Sequence, residues 1–369
     1  MLASRRDPGT RPRTMTHDQV HVTEMPDVAA ARLRHGGLSP LDILGRMAWV
    51  SRRSFDVIHT FEHRPAVSLP ALVGKHRGAV LVSDWSDLWG RAGIGGERKG
   101  PEAWILGTLD EYWETRYRKW ADAFTTINAT LWDRVEGLGL PEPRRLMLPP
   151  GANVDLIRPL PQADMRRLYS LPKDAHVVVA TGFAPYDEDL LSETIVEILS
   201  LDPAAWALTS GAERTLLQYA VRTRGLEGRL RVLGRVPFSE MERVLACADV
   251  LLLPYSHKPV NLGRFPNRFG DYLAAGRAIV TQRIGDLGEL VVRHGLGLIA
   301  PEEPAGFAAA AVHLMEDPAL CEELGTRARR FAEDHLSWEA LAHRVENFYS
   351  EVLKARQTGS IRANESART

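Results

Sequence analysis

Short β-branched runs alternate with amphipathic helical stretches along most of the chain. From about residue 20 the strand-like runs are "VHVTEM", "DVIHTF", "AVLVSD", "AFTTIN" and "RLMLPPG", separated by helical patterns near 40–52, 65–76, 101–120 and 129–138. A second series opens with "HVVVATG" (176–182) and continues through "AWALTSG", "LRVLGRV", "DVLLLPY", "AIVTQ" and "GLGLIAP". Such alternation predicts βαβ units and a parallel sheet in each series. Between them lies "PPGANVDLIRPLPQADM", where Pro149, Pro150, Pro159 and Pro161 frame a linker and place a domain boundary between 155 and 170. "SEME" at 239–242 has capping-box spacing and predicts a helix over 239–248 with Ser239 at its start. Trp338, Leu341, Val345, Phe348 and Val352 recur at helical spacing after Ser337, a residue suited to an N-cap, and predict a long last helix.

The chain has 369 residues, 44% hydrophobic and 25% charged, enough for two domains with separate cores. A formal net charge of −1 gives no global field for nucleic acid or an anionic membrane, so any anion site must be local. The two cysteines, Cys247 and Cys321, sit in apolar helical patterns and exclude a disulfide framework. Residues 1–19 are rich in Arg, Thr and Pro, have no apolar run of the signal-peptide kind, and are expected to be disordered, as is the polar tail 357–369. No run of apolar residues is long enough for a membrane span, and a cytoplasmic protein, free or peripheral to the inner face of the membrane, is expected.

Candidate chemistry concentrates in "FPNRFGDYLAAGRAIV" (265–280). Pro266 suits a helix start, Gly276 the left-handed residue just past a helix end, and "AIV" a buried strand. A short helix therefore holds Asn267, Arg268 and Asp271 beside the carboxyl edge of a sheet, where open parallel sheets bind ligands. Its N-terminus and Arg268 favour an anion such as a phosphate. Asp271, one turn on, is placed to accept hydrogen bonds from sugar hydroxyls. Phosphate above and hydroxyls below describe a sugar nucleotide, whereas a plain i,i+3 surface pair is the alternative reading.

"RVLGRVPFSEMERVLACADVLLLPY", "PNRFGDYLAAGRAIVT" and, upstream, "LMLPPGANVDLIRPL" together resemble retaining glycosyltransferases of the GT-B fold, family 4, over about residues 55–352. The resemblance implies an α/β protein of two Rossmann-like parallel-sheet domains facing across a cleft, with the amino-terminal one shortened. Its implied parts are an acceptor-side domain (20–160), a nucleotide-sugar domain (161–336), and a last helix (337–356) packing back on the first. It implies a nucleotide-sugar donor, UDP- or GDP-linked, as substrate, a hydroxyl acceptor on a glycan, lipid or small molecule, and no metal or other cofactor. Asp271 takes the place of the family's second Glu, and Arg268 that of a Lys found in one variant of this helix, which together make them the catalytic pair. Gly182, Arg235, Gly263, Arg264, Pro266 and Asn267 complete the expected donor site.

Three departures from the family pattern stand out. The first carboxylate of the family pair falls on Gly263, the basic pair expected after Gly182 is replaced by "FAPYDED", and one amino-terminal βα unit is absent before "VHVTEM", so that the donor cleft is incomplete or the natural start lies upstream. Arg264, Arg268, Arg235 or Arg283 must then neutralise the diphosphate, since a lost preorganised donor costs about a hundredfold or more in rate. "DED" (187–189) reads as the acidic first turn of a helix rather than as a metal motif. "GIGG" (93–96) lacks dinucleotide spacing.

On the amino-terminal side a family His is replaced by Asp84 and Trp85, and His59, Glu62 and His63 are the other acceptor-side candidates, with Arg64 beside them. Trp85 and Trp89 are the tryptophans best placed to stack on a sugar; others are expected to pack helices. The leading expectation is sugar transfer with retention. The rival is a non-catalytic subunit of the same fold that binds a sugar or a partner glycosyltransferase, and an epimerase on this fold comes third.

Overall fold

The computed structural model describes residues 1–100, 103–140, 144–182, 184–211 and 215–359. The chain divides into two compact units: Met1–Leu148 with Arg344–Thr369, and Pro149–His343. The division falls at 148/149, earlier than the expected 160/161. The "PPGAN" turn belongs to the second unit because the Ala152 N–H donates to Leu336 O (2.7 Å) and Ala152 bridges Ser337.

In the first unit, residues 1–19 are ordered, contrary to the expectation of disorder. β1 (Leu2–Ala3), β2 (Arg13–His17) and β3 (Val20–Glu24) form a three-stranded sheet in the order β1-β3-β2, with β3 parallel to β1 and antiparallel to β2. Local apolar content could not reveal this, because the segment is fixed by backbone pairing and by side chains from farther on. The Arg46 guanidinium donates to Ser4 Oγ (2.9 Å), and Arg34 to Arg6 O (3.2 Å). "VHVTEM" is thus part of this small sheet and not the first strand of the parallel one.

The parallel sheet of this unit has the order β4-β5-β6-β7: Val57–Thr60, Val80–Trp85, Ala123–Thr126 and Arg144–Met147. Helices Pro65–His76, Ala103–Arg118 and Ala129–Glu136 intervene. Every residue of β5 is buried, as a strand covered on both faces requires. The last helix, Trp338–Gln357, enters the first unit at Arg344, where Phe348 and Val352 pack on Val80, Val82 and Ala123. Residues 360–369 of the tail expected to be disordered lie outside the described residues, and Gln357 is still helical.

The second unit is a six-stranded parallel sheet, β8 (His176–Thr181), β9 (Ala205–Ser210), β10 (Leu230–Val232), β11 (Val250–Leu253), β12 (Ala278–Thr281) and β13 (Gly297–Ile299). Its order, β10-β9-β8-β11-β12-β13, reverses direction between β8 and β11. That reversal is the switch point of a doubly wound sheet, where a crevice opens outside the carboxyl ends. Val178, Val250, Leu252 and Val280 face Ile195, Leu199 and Phe307 from the covering helices in one continuous core. The helix before β11 runs Phe238–Ala246 with Pro237 as its N-cap, so Ser239 lies inside the first turn rather than capping it. Proline's fixed φ makes the earlier start favourable. At the last helix, Ser337 Oγ does accept from the Ala340 N–H (3.3 Å).

Candidate functional site

At the carboxyl edge of the second unit's sheet lies a cavity of about 490 Å³, lined by Thr181 and Gly182 after β8, Ser210 and Gly211 after β9, Arg235 and Val236 after β10, and Arg264, Pro266, Asn267, Arg268 and Asp271. Gly182 and Gly211 both have positive φ, and a Cβ on Gly211 would lie 3.3 Å from Gly182 N, so the two strand ends approach closely only without side chains.

The helix Asn267–Ala274 builds one wall. It has eight residues, Pro266 as N-cap, and Gly276 at φ +65° just beyond its end. Phe269, Tyr272 and Leu273 face the core, leaving Asn267, Arg268 and Asp271 toward the cavity. Two tyrosines hold the helix and the loop before it. The Tyr272 hydroxyl accepts from the Thr181 N–H (2.8 Å), and the Tyr255 hydroxyl donates to Asn261 O (2.7 Å) and Arg264 O (2.8 Å).

Arg268 donates from Nη1 to Gly182 O (2.6 Å), while its buried Nε and Nη2 have no hydrogen-bond partner among the described residues. Burial pushes its guanidinium below the ordinary value, with Tyr272 and Asp187 opposing the shift and Arg264 adding to it. Asp271 is partly buried, and burial raises its carboxyl to about 6 against a hydrogen bond from Asn153. Asn153 Oδ1 in turn accepts from Trp338 Nε1 (3.1 Å).

Six of the expected donor-site residues, Gly182, Arg235, Arg264, Pro266, Asn267 and Arg268, line this cavity together with Asp271. Gly263 does not; it is buried at the end of the short helix Pro259–Leu262. Arg283 is no substitute for the absent basic pair, since it is exposed and engages Glu289 (2.8 and 3.2 Å). Asp187 does more than open a helix. Fully buried, it accepts from Ser256 N (3.2 Å), Ser256 Oγ (2.6 Å) and Asn261 Nδ2 (3.1 Å), and so pins the loop leading to the cavity wall.

The acceptor-side candidates of the first unit fare differently. Trp85 is 1% exposed, donates to Glu114 (2.7 Å) and lies under Arg118, so it is core and cannot stack on a sugar. His59 is engaged at both ring nitrogens, by the Tyr349 hydroxyl (2.7 Å) and Thr125 Oγ1 (3.0 Å), and burial lowers its pKa to about 4. Asp84 is buried and takes a hydrogen bond from Thr125, and burial raises its carboxyl. His63 is fully buried, 2.9 Å from Glu62. Burial opposes ionisation of Glu62, yet His63 and Arg64 hold its carboxyl down to about 2. Glu62 and His59 alone of the five keep partial exposure. Residues at or just past a strand end look alike in sequence whether they face solvent or a covering helix, which is why the burial of His63, Asp84 and Trp85 was not legible.

Two family profiles match the chain: "Glycosyl transferase 4-like domain" over residues 1–151 and "Glycosyl transferases group 1" over 176–317. The chain belongs to the group 1 glycosyl transferases. Among curated members of this family, D-inositol 3-phosphate glycosyltransferase of Thermobispora bispora is 26% identical over 240 residues, 61% of this chain and 54% of the relative. Glycogen synthase of Mycobacterium tuberculosis is 31% identical over 120 residues, 32% of this chain and 28% of the relative. The chain thus spans about half or less of the length of these two. Among solved structures, sucrose-phosphate synthase from Thermosynechococcus elongatus superposes with a TM-score of 0.76 at 19% identity, covering 96% of this chain and 89% of that one. HepE of Anabaena, solved with UDP and glucose, gives 0.70 at 16%, covering 90% and 87%. The fold is GT-B.

Sequence reasoning missed Asn153, Asp187, Tyr255 and Tyr272. "PGAN" and "DED" were visible as motifs, but nothing in them shows which distant side chain they meet. Among the described residues no helix is long and apolar enough to cross a membrane.

Proposed function

We propose that the chain is a glycosyltransferase that takes its sugar from a nucleotide-sugar donor bound in the second unit and passes it to a hydroxyl acceptor with retention. One observation carries the reading. A buried guanidinium with two unpartnered nitrogens is costly unless an anion completes it, and Arg268 presents such a pair at the first turn of a helix, beside a cavity of about 490 Å³ at the switch-point edge. A donor diphosphate satisfies that requirement, and Arg264 and Arg235 line the same space. Asp271, ionised, accepts from the ribose or neighbouring hydroxyls. HepE, a structural neighbour, binds UDP and UDP-glucose, which supports a UDP-linked donor. In the mechanism, Arg268 and the helix N-terminus stabilise the departing diphosphate while the acceptor hydroxyl attacks the oxocarbenium-like sugar on the same face.

A non-catalytic subunit is the second reading, favoured by the absence of any carboxylate on residues 259–265 and of any Lys or Arg in 183–190. Thermal shift against UDP-, GDP-, ADP- and dTDP-sugars separates the cases in two steps. Ligand binding to the folded state raises the midpoint in proportion to RT ln(1 + [L]/Kd), so a shift identifies the donor base, and release of free sugar or transfer to an added alcohol then shows catalysis. A shift without turnover leaves the non-catalytic subunit. No shift with any donor refutes the donor site itself.

A further inference from the structure

The loop 151–153 is held more firmly than a linker requires. Ala152 is bonded to Leu336, the Trp338 ring lies so close to Gly151 that a Cβ there would meet it at 2.6 Å, and the Gly151 carbonyl would meet a Cβ on Gly270 at 3.1 Å. Arg329 fastens the following residues to the same helix, donating to Val154 O (2.9 Å), Ile157 O (2.6 Å) and Ala274 O (2.8 Å). At the centre of these contacts the Asn153 amide spans Asp271 on one side and the Trp338 indole N–H on the other. An amide so fixed has one orientation: its oxygen accepts from the indole, so its NH₂ must donate to the carboxylate.

We propose that Asn153 is a positioning residue for Asp271, aiming the carboxylate at the donor's hydroxyls, and that its bond to Trp338 ties donor occupancy to the first turn of the last helix. This rests on the donor-site reading. Without the Asn153 amide, Asp271 loses both the donor that orients it and the group that favours its ionised form. Arg268 and Tyr272 share its helix, Arg264 and Arg235 line the same cavity, and Arg329 and Glu333 belong to the segments packed on that helix, where Arg329 engages Glu333 and the His335 ring lies against Phe331. Burial raises its value and the Asn153 hydrogen bond opposes that rise, so the Asn153 contact is the one whose removal has a direct effect.

The test is titration with UDP-glucose between pH 5 and 8, on the wild type, Asn153→Ala, Trp338→Phe and Asp271→Asn. Wild-type affinity rises through a midpoint near 6, the value of Asp271. Asn153→Ala is expected to move that midpoint upward and weaken binding at pH 7 about three- to tenfold. Trp338→Phe, which keeps the ring on Gly151 and removes only the N–H, shifts it in the same direction by less. Asp271→Asn binds weakly with no pH step. UDP-glucose also changes the indole emission of the wild type by an increment that Trp338→Phe lacks.

Wild-type affinity and midpoint in both Asn153→Ala and Trp338→Phe, alongside a weakened Asp271→Asn, overturn the positioning role and leave the donor site standing. Absence of binding by the wild type to UDP-glucose and to the GDP-, ADP- and dTDP-sugars alike overturns both. If Asn153→Ala does not fold, Trp338→Phe decides.

Discussion

Arg268 is the residue on which the proposed donor site rests. Its Nη1 is used by Gly182 O, while Nε and Nη2 are buried without a partner among the described residues. Hydrogen bonds to a charged partner are worth about 1.5–3 kcal/mol, so Arg268→Ala is expected to weaken nucleotide binding about ten- to a hundredfold by calorimetric titration. Asp189→Ala, at an exposed site, should leave it unchanged. Asp271 sets two properties against each other. Its folded value near 6 lies above the model-peptide 3.8, so between those values the native state binds more protons than the unfolded one. Its contribution to stability therefore falls as pH rises from about 4 to 6 and is flat above, while affinity for hydroxyl donors grows over the same range. Asp271→Asn should be more stable than the wild type at pH 7 in urea titration and bind nucleotide less well. His59 acts with the opposite sign. Its folded value near 4 lies below the ordinary 6.5, so its contribution to stability, full above 6.5, is lost as pH falls toward 4.

At the scale of elements, the helix Asn267–Ala274 is too short to be stable alone. It stands because its inward residues are buried, Tyr272 reaches β8, and Arg329 takes its last carbonyl at Ala274. Gly270→Ala measures how closely the 151–153 loop sits on it. A Cβ would lie 3.1 Å from Gly151 O and 3.2 Å from Ala152, so overpacking of about 1–3 kcal/mol opposes about 1 kcal/mol of helix propensity. A net loss below about 2 kcal/mol by denaturant titration is expected, with a larger proportional loss of nucleotide affinity because Asn153 moves. Asp187→Ala should be worse for stability, by more than about 2 kcal/mol, since it strands the buried donors of Ser256 and Asn261. Replacement by Asn retains an oxygen for them and should recover much of the loss.

On the scale of the whole molecule, two units with separate cores each carry a parallel sheet, and the residues of the proposed donor site all belong to Pro149–His343. Differential scanning calorimetry should therefore show UDP-glucose raising the unfolding midpoint of the second unit. Acidification from pH 6.5 toward 4 should instead lower that of the first, where His59 is held neutral between Tyr349 and Thr125. Movement of both by the nucleotide to the same degree would show that the units unfold as one.

Much of this was legible in the chain itself. Period-two and period-3.6 patterning is a local property, and it marked the strands of both parallel sheets, the last helix, and the helix that begins at Pro266 and stops before Gly276. Positive φ at a helix end and a fixed φ at its start are intrinsic to Gly and Pro, so those limits needed no tertiary information. Gly182, Arg235, Arg264, Pro266, Asn267, Arg268 and Asp271, grouped in the sequence, line one cavity because all follow strands at one edge of a sheet. What only the tertiary structure decided is which side chains are covered and which meet. Trp85, His59 and Asp84 sit at strand ends as predicted and His63 in the loop just past one, but partners dozens to hundreds of residues away take their polar atoms or bury their rings. The order of residues 1–19, the pinning of a loop by Asp187 and the meeting of Asn153 with Asp271 and Trp338 likewise depend on contacts between distant segments. Local sequence sets the conformational preferences of a segment; solvent exclusion and hydrogen-bond completion belong to whatever the fold brings against it.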